Sequence, residues 1–270
     1  MALLRTLPDA CCDLIYIDPP FGIAECLHGA DPPAGGRGTA ACDAQRAFVE
    51  FLRPRCVEMR RVLAETGSFY LHCDWRTVHY VKVMLDEVFG ARNFLNEIIW
   101  SYRSGGRPSA WFMRKHDTLL LYADSAGRHT FNALRGGAYR TQGLKTAADG
   151  TPYKPTRNGP IRFSPEGPLI SDVWDIPIIS TVSKKRSGYP YQKPDALLER
   201  IVRASSNEGD LVADFFCGSG TTLVAAKRLH RGWLGCDANP AAVAIAQRRL
   251  AAVEREDAAT PVGQSPPFGA

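Results

Sequence analysis

The sequence predicts an α/β domain in which a mostly parallel β-sheet is covered by helices on both faces. Apolar segments typical of strands alternate with helical segments near the C-terminus, which is the pattern of consecutive βαβ units. The chain has 270 residues, of which 45% are hydrophobic and 23% are charged. This composition is typical of a globular protein and excludes a disordered or fibrous one.

The N-terminal part begins with a short buried strand. Residues 13–18 contain the β-favouring run Leu-Ile-Tyr-Ile and stop at two prolines. Residues 22–42 lack periodicity and are expected to form a loop, whereas residues 43–65 carry apolar side chains at helical spacing and stop before Gly67. The later elements predicted here are a strand at 68–73, a helix at 75–89, and strands at 94–102 and 117–123.

The C-terminal part shows the alternation most clearly. The predicted elements are a helix from Pro194 to residue 204, a strand at 211–216, a helix at 220–229, a strand at 233–237 and a helix at 239–253. The last dozen residues are rich in Gly, Pro and Ser and are expected to be a disordered tail.

Composition also limits the class of protein. No apolar run approaches the roughly 20 residues that a membrane span needs, and no secretory leader precedes residue 20, so we expect a cytoplasmic protein without a membrane partner. The eight cysteines form no CxxC pair and no cluster with histidines at zinc-ligand spacing. The sequence therefore predicts reduced thiols and no metal site.

The positive charge is concentrated in the middle of the chain. The formal net charge is only +5, but residues 101–190 hold 14 Lys and Arg against 6 Asp and Glu. The same region holds ten aromatic residues and many Gly and Pro. A loop-rich, basic and aromatic region is typical of a nucleic-acid contact, although a variable insertion with a solvated charged face would look the same.

A glycine-rich turn follows the strand at 211–216 and opens a helix, which is the context of a nucleotide-binding turn. Gly218 and Gly220 let the backbone approach a ligand, and the next strand ends at Asp237, whose carboxylate can accept hydrogen bonds from ribose hydroxyls. The third glycine of a dinucleotide fingerprint and the lysine of a P-loop are missing, so a nucleoside without phosphates fits best. Alternatively, both glycines serve close packing and Asp237 caps the next helix.

A second turn, Asp18-Pro19-Pro20-Phe21, ends the first strand, at the edge of the sheet where open α/β folds bind ligands. Two prolines make the turn stiff and remove backbone donors, so it presents carbonyl oxygens and one carboxylate as acceptors. Such acceptors can hold an amino group, and Phe21 can stack on a flat base. A Pro-Pro turn with a purely structural role is the alternative.

These two turns, in this order and separated by the basic region, resemble the motifs of the β group of S-adenosylmethionine-dependent DNA amino-methyltransferases. A third segment, Tyr189-Pro-Tyr-Gln-Lys-Pro194, resembles the one that precedes the glycine turn in that family. The resemblance spans residues 4–253. It implies a Rossmann-like methyltransferase fold, with a mostly parallel seven-stranded sheet that contains one reversed strand, plus a loop-rich target-recognition insert.

The resemblance also implies how the chain is divided. Residues 1–100 would form the catalytic half, and residues 191–256 the cofactor-binding half. Residues 101–190 would form the target-recognition region, with the strand at 117–123 belonging to the sheet. Residues 257–270 are expected to be the disordered tail.

Site residues follow from the resemblance position by position. Asp18 and the carbonyls around Pro19 and Pro20 would hold the target amino group, and Phe21 would stack on the flipped base. The residues expected to bind the cofactor S-adenosylmethionine are Asp214, Phe216, Gly218, Gly220, Thr221, Asp237, Lys193 and Pro194. No covalent intermediate is needed, so Cys217 is not expected to be a nucleophile.

The implied activity is site-specific methylation of the N6 amino group of a flipped adenine in double-stranded DNA. Adenine is favoured because the first position of the motif is Asp18, where cytosine-N4 enzymes more often have Ser. The alternatives are a cytosine-N4 enzyme, an RNA or protein-amide methyltransferase, or a non-catalytic DNA-binding protein on the same scaffold. A restriction endonuclease and a second copy of the chain are the further partners considered.

Two departures from the family pattern stand out. Family members usually carry, before the first strand, a Gly-Asp-containing segment that helps to hold the adenine of the cofactor, whereas this chain begins Met1-Ala-Leu-Leu-Arg. We therefore expect that segment to be missing. Phe21 stands where Tyr is more frequent, which keeps the stacking surface and loses a hydroxyl.

Overall fold

The computed structural model describes residues 1–20, 39–103, 108–180, 183 and 187–259. Its strands are β1 (Cys12–Ile17), β2 (Leu63–Cys73), β3 (Phe94–Ser101), β4 (His116–Ala123), β5 (Lys145–Thr146), β6 (Pro152–Lys154), β7 (Ile161–Arg162), β8 (Val173–Asp175), β9 (Leu211–Asp214) and β10 (Gly232–Gly235). Its α-helices are α1 (Ala2–Thr6), α2 (Thr39–Val62), α3 (Val78–Leu85), α4 (Asp195–Ser205), α5 (Thr221–Arg228) and α6 (Pro240–Ala259).

Seven strands form one sheet in the order β10-β9-β1-β2-β4-β3-β8. β4 runs antiparallel to both of its neighbours, β2 and β3, and every other pair in the sheet is parallel. The predicted mostly parallel seven-stranded sheet with one reversed strand is therefore confirmed.

Helices cover both faces of the sheet, as the sequence predicts. Ile15 and Ile17 of β1 face a core shared with α1, α2 and α3, whereas Leu14 and Tyr16 face a core shared with α4 and α5. A strand that is apolar on both faces is typical of the middle of a parallel sheet. α6 packs on the outside of α5 through a third, smaller apolar cluster. The two covered faces leave the strand ends as the place where polar side chains can meet.

The basic middle region is interwoven with this sheet. β4 and β8 both belong to the seven-stranded sheet and flank β3, while β5, β6 and β7 form a separate three-stranded antiparallel sheet. β8 was not predicted from the sequence, and it pairs in parallel with β3 so that Trp174 lies opposite Trp100. Residues 101–190 therefore contribute two strands to the main sheet as well as loops.

The N-terminal elements begin earlier than the sequence predicts. α2 starts at Thr39, inside the expected loop at 22–42, and ends at Val62, where β2 follows at once. The rest of that expected loop lies outside the described residues. Gly67, expected to stop the helix, lies inside β2, where the β1–β2 register is irregular. An added Cβ at Gly67 would lie 2.7 Å from the Leu63 side chain, so the irregular strand itself requires this glycine.

Two helical predictions also need correction. The helix expected at 75–89 is α-helical only from Val78 to Leu85 and closes in a π-helical turn, Asp86–Gly90. At the other end, α6 continues to Ala259, so the prediction of a tail from residue 257 is wrong for its first three residues. Residues 260–270 lie outside the described part of the chain. Among the described helices, none combines the length and apolar character needed to cross a lipid bilayer.

Gly220 fixes how closely α5 and α6 approach. It precedes α5 with a φ of +78°, in the left-handed region, and an added Cβ would lie only 2.6 Å from the Cβ of Ala246 in α6. Both the backbone conformation and the space therefore require glycine here. Gly209 has a similar φ of +87°, but an added Cβ there meets no atom within 4 Å.

Replacing each of these two glycines distinguishes the cost of the left-handed backbone conformation from the cost of the contact with α6. We expect Gly220→Ala to lower the free energy of unfolding by about 2–4 kcal/mol, because it combines an unfavourable φ with overpacking against Ala246. Gly209→Ala should cost only about 1 kcal/mol, from the φ alone. Urea denaturation followed by circular dichroism measures both. Equal losses for the two variants would contradict the close contact between α5 and α6.

Candidate active site

Most of the predicted site residues that the structure describes meet at one edge of the sheet. Parallel strands bring the carboxyl ends of β1 and β9 side by side, so the turn that begins at Asp18 lies opposite the glycine-rich turn that begins at Asp214. Between them lies a cleft of about 920 Å³, which both turns line together with Tyr189, Tyr191, Gln192, Lys193 and Asp237; Gly220 and Pro194 are not part of its lining. This position agrees with the rule that open α/β sheets bind ligands beyond their strand carboxyl ends.

The carboxylate of Asp18 is held asymmetrically. Its Oδ2 atom lies 2.5 Å from Nζ of Lys193, and only 16% of the side chain is exposed. Its Oδ1 atom is buried, makes no hydrogen bond within the described part of the chain, and lies 3.8 Å from Nδ1 of His72. One oxygen is thus fixed by an ion pair, while the other keeps its capacity to accept a hydrogen bond.

A buried polar network beneath Asp18 was missed by the sequence reasoning. His72 in β2 is completely buried, and its ring nitrogens contact the hydroxyl of Tyr16 at 2.9 Å and Oδ2 of Asp117 at 3.2 Å. The hydroxyl of Tyr102 donates a hydrogen bond to Oδ1 of Asp117 at 3.0 Å. These residues come from separate strands, so no local motif joins them. The only signal available was one polar residue, His72, in the otherwise apolar end of β2, residues 69–73.

The network keeps Asp117 ionised. Burial alone would raise its pKa, but the hydrogen bonds from His72 and Tyr102 and the nearby charge of Lys193 hold the pKa below its ordinary value. A second negative group therefore persists close to Asp18, with the His72 ring between the two carboxylates.

Asp214 organises the glycine-rich turn. One carboxylate oxygen accepts a hydrogen bond from the backbone N–H of Phe216 at 3.0 Å, and the other accepts one from the hydroxyl of Thr222 at 2.6 Å. Burial raises the pKa of Asp214 to about 7, and the carboxylates of Asp18 and Asp237 add to that rise against the effect of these hydrogen bonds. β9 ends at Asp214, before the predicted end at Phe216, because this side chain bonds the backbone of the turn.

Asp237, which follows β10, stabilises the same turn. Its Oδ2 accepts a hydrogen bond from the N–H of Gly218 at 2.8 Å, and its Oδ1 accepts one from the N–H of Asn239 at 2.8 Å. Asn239, and not Asp237, then caps α6, because its side chain accepts a hydrogen bond from the N–H of Ala241. The carboxylate of Asp237 is partly exposed in the cleft, and its predicted contact with a ribose stays a prediction.

The two glycines pack against other parts of this chain. An added Cβ at Gly218 would lie 3.1 Å from the ring of Tyr189, and Gly220 lies against Ala246 of α6. The alternative that these glycines serve close packing therefore has direct structural support. Gly218 also lines the cleft, so its backbone remains next to the space for a ligand.

Three more predicted residues have structural partners. Lys193 forms the ion pair with Asp18, and Pro194 directly precedes α4 as its N-cap. The hydroxyl of Thr221 accepts a hydrogen bond from Arg249 of α6, which also donates to the Ser219 carbonyl. Arg249 thus supports the glycine turn from outside the motif, and sequence reasoning missed it.

Two further predictions concern Phe21 and Cys217. Phe21 lies outside the described residues, so its stacking role stays a prediction. Burial raises the pKa of the Cys217 thiol, which makes this thiol a poor nucleophile.

The raised pKa of Asp214 gives a testable pH dependence. A carboxylic acid with a pKa near 3.8 in the unfolded chain and about 7 in the folded protein stabilises the fold fully below about pH 4, and this contribution is lost as pH rises to about 7. Asp214→Asn removes the titration. We expect the free energy of unfolding of the wild type to fall relative to this variant between about pH 4 and 7, measured by urea denaturation at fixed ionic strength. A difference that is constant over this range would contradict the shifted pKa.

Comparisons with known proteins agree with this geometry. The family model for N6/N4 DNA methylases matches residues 12–248. DNA adenine methyltransferase YhdJ of Escherichia coli (strain K12) is 28% identical over 251 residues, which cover 93% of this chain and 80% of that protein.

Two solved structures share the fold. A DNA modification methylase of Thermus thermophilus, described as putative and complexed with S-adenosyl-L-methionine, has a TM-score of 0.58 and 23% identity, covering 93% of this chain and 91% of that chain. The PvuII cytosine-N4-specific DNA methyltransferase has a TM-score of 0.61 and 16% identity, covering 92% of this chain and 82% of that chain. Since the family model spans most of the sequence, the chain belongs to the N6/N4 DNA methylase family and is a DNA amino-methyltransferase.

Proposed function

We propose that this chain transfers a methyl group from S-adenosylmethionine to the N6 amino group of an adenine that is flipped out of double-stranded DNA. The observation that carries the proposal is the asymmetric carboxylate of Asp18, with Oδ2 fixed by Lys193 and Oδ1 without a hydrogen bond in the described part of the chain. It lies in the same cleft as the glycine-rich turn.

An exocyclic amino group needs acceptors in order to react. Its lone pair is delocalised into the base, and hydrogen bonds from the amino group to fixed acceptors favour a more tetrahedral and more nucleophilic nitrogen. Asp18 supplies one such acceptor, and Pro19 and Pro20 follow it in the lining of the cleft without backbone donors. Ion pairing with Lys193 keeps the carboxylate oriented while the base is absent.

The cleft suits the cofactor in its size and in its hydrogen-bond acceptors. Its volume of about 920 Å³ is at the upper end of the range for small-molecule sites, which leaves room for both a nucleoside cofactor and a base. Each carboxylate oxygen of Asp237 receives one backbone hydrogen bond, and a carboxylate has about four acceptor positions, so two remain for ribose hydroxyls. When bound, S-adenosylmethionine supplies an electrophilic methyl group on a sulfonium.

The surroundings of Asp18 can also receive a proton. A methylated amino group must release one, and Asp18 is an acceptor within the cleft. The ring of His72 lies between Asp18 and Asp117, at 3.8 Å and 3.2 Å from their carboxylate oxygens. We infer that His72 acts as a positioning residue. Its contacts with Tyr16 and Asp117 fix where these polar groups lie relative to Asp18.

Adenine is the proposed target because the motif begins with Asp18. Both target bases occur among the similar proteins, since one is described as an adenine enzyme and another as cytosine-N4-specific, so cytosine remains the alternative. The basic region at 101–190 supports double-stranded DNA as the substrate, through contacts with phosphates. A restriction endonuclease partner and a homodimer stay predictions from the sequence.

Removing the Asp18 carboxylate tests the proposed catalytic role. We expect Asp18→Ala to reduce methyl transfer at least about 100-fold while cofactor affinity changes less than about threefold, because the acceptor is lost but the glycine turn is intact. Asp9→Ala is the matched control, since that carboxylate is 78% exposed and precedes β1, whereas Asp18 follows it. Methylated DNA is digested and its nucleosides are analysed by mass spectrometry, and cofactor binding is measured by calorimetry.

The outcomes of that experiment are distinct. Recovery of N6-methyladenine from the wild type alone supports the proposal. Recovery of only N4-methylcytosine contradicts the adenine assignment. No methylated base together with no cofactor binding would favour the non-catalytic DNA-binding alternative.

The positioning role of His72 has its own test. His72→Gln keeps a polar group in the buried network but changes its contacts with Tyr16 and Asp117, so we expect kcat to fall roughly 10-fold to 100-fold with little change in KM for the cofactor. Tyr102→Phe removes only one hydrogen bond to Asp117 and should have a smaller effect. Steady-state kinetics on a mapped target site give both values. A pure KM effect for His72→Gln would show that the residue only shapes the binding cleft.

A further inference from the structure

The loop between β3 and β4 carries an exposed aromatic tip, which we define as Trp111–Met113. All three side chains are exposed, and Phe112 is 97% exposed. Three large apolar side chains in a row on one loop are unusual on a protein surface unless they contact a partner.

The tip is held in place by a cation–π stack. The guanidinium of Arg114 lies 3.6 Å above the ring of Trp75 and 5.5 Å from the ring of Trp111. The base of the loop is closed by a backbone hydrogen bond from the N–H of Tyr102 to the carbonyl of Lys115. Because the stack and the backbone hydrogen bond restrain the residues next to the tip, less conformational entropy is lost when the tip binds a partner.

The tip lies on the same edge of the sheet as the cleft. β4 runs antiparallel to β2, so the start of β4 lies beside the end of β2, next to the turn that contains Asp18. Trp75 follows β2, and the next residue, Arg76, lines the cleft and is paired with Asp74. The aromatic tip therefore projects beside the mouth of the cleft that would receive a flipped base.

The surrounding charge indicates an anionic partner. The loop and its flanks carry Arg103, whose side chain is 92% exposed, as well as Arg114 and Lys115. The region at 101–190 as a whole has an excess of eight positive charges. Exposed aromatic side chains interspersed with cations match a nucleic acid, in which stacked bases lie between phosphate strands.

We propose that Phe112 enters the DNA duplex and stacks in the gap left by the flipped target base, with Trp111 and Met113 against the neighbouring groove. This proposal rests on the proposed function, because a gap arises only when the base leaves the helix. Flipping costs stacking and pairing free energy, and an aromatic ring that restacks with the neighbouring bases offsets part of that cost.

The experiment varies the cost of flipping. Phe112→Ala, Phe112→Leu and wild type are compared on a duplex with a normal target pair and on the same duplex with the target base mispaired, after the target site has been mapped on methylated plasmid DNA. Tyr80→Ala is the matched control, because that ring is also exposed, at 50%, but belongs to α3, outside both the cleft lining and residues 101–190.

If Phe112 acts as a wedge, that is, if it fills the gap left by the flipped base, the rates of methyl transfer should follow a specific pattern. On the paired duplex, kcat/KM should fall about 10-fold to 100-fold for Phe112→Ala and less for Phe112→Leu, and Tyr80→Ala should match the wild type. On the mispaired duplex, where flipping costs less, the defect of Phe112→Ala should shrink to less than about threefold. An equal defect on both duplexes would overturn the proposal.

A second measurement separates this proposal from the proposed function. Fluorescence of 2-aminopurine at the target position reports flipping without methyl transfer, and it should rise on binding of the wild type and much less on binding of Phe112→Ala. If the mapped target is a cytosine and the wild type still flips it, the adenine assignment of the proposed function fails and the role of Phe112 in the gap stands. If both proteins flip the base equally, or if Phe112→Ala changes only self-association in sedimentation experiments, the wedge is overturned.

Discussion

The ion pair between Asp18 and Lys193 joins the turn after β1 to the segment before α4, and both line the cleft. Asp18 follows β1 and Lys193 precedes α4, so the contact brings together segments far apart in the sequence at one edge of the sheet. Both side chains are largely buried, and a buried charge is costly unless it is paired. Loss of either partner would leave the other uncompensated beside the cleft. The pairing therefore orients a carboxylate whose oxygens can accept hydrogen bonds.

The cleft and the basic middle region differ in their charged side chains. Asp18, Asp214 and Asp237 lie around one cavity and repel one another, which contributes to the raised pKa of Asp214. Lys193 and two arginines line the same cavity, so acidic and basic side chains are mixed there, and its glycine turn lacks phosphate-binding residues. The excess of positive charge at 101–190 lies in a separate part of the sequence, where it can attract the DNA backbone.

Local sequence patterns predicted the α/β class and the two turns, because each turn is contiguous, whereas the seven strands and the reversed strand were implied by the family resemblance. The strand, glycines and following helix around Gly218 can be recognised within a dozen residues, and so can the turn at Asp18. Contacts between strands could not be predicted in this way. His72 and Asp117 meet only because β2 and β4 are neighbours, and Arg249 reaches the glycine turn only because α6 folds back over α5.

The errors in element boundaries have a similar cause. Glycine often ends a helix, but Gly67 instead lies in β2, at an irregularity in its pairing with β1. The periodicity of the sequence does not show which residues of two strands pair, so this irregularity could not be predicted. β8 is three residues long and is specified by the pairing of Trp174 with Trp100. Short edge strands of this kind depend on an existing neighbour, so their own sequences carry little signal.

β4 links the loop proposed to contact DNA with the Asp18 site, so the two do not belong to separate parts of the fold. Its first residues follow the aromatic tip, and Asp117, one residue further, contacts His72 beneath Asp18. The stack of Arg114 on Trp75 ties the same loop to the end of β2, the strand that carries His72. A single reversed strand therefore carries both a DNA-facing loop and a partner of the catalytic network. In a wholly parallel sheet the start of that strand would lie at the opposite edge, and the loop could not lie beside the cleft.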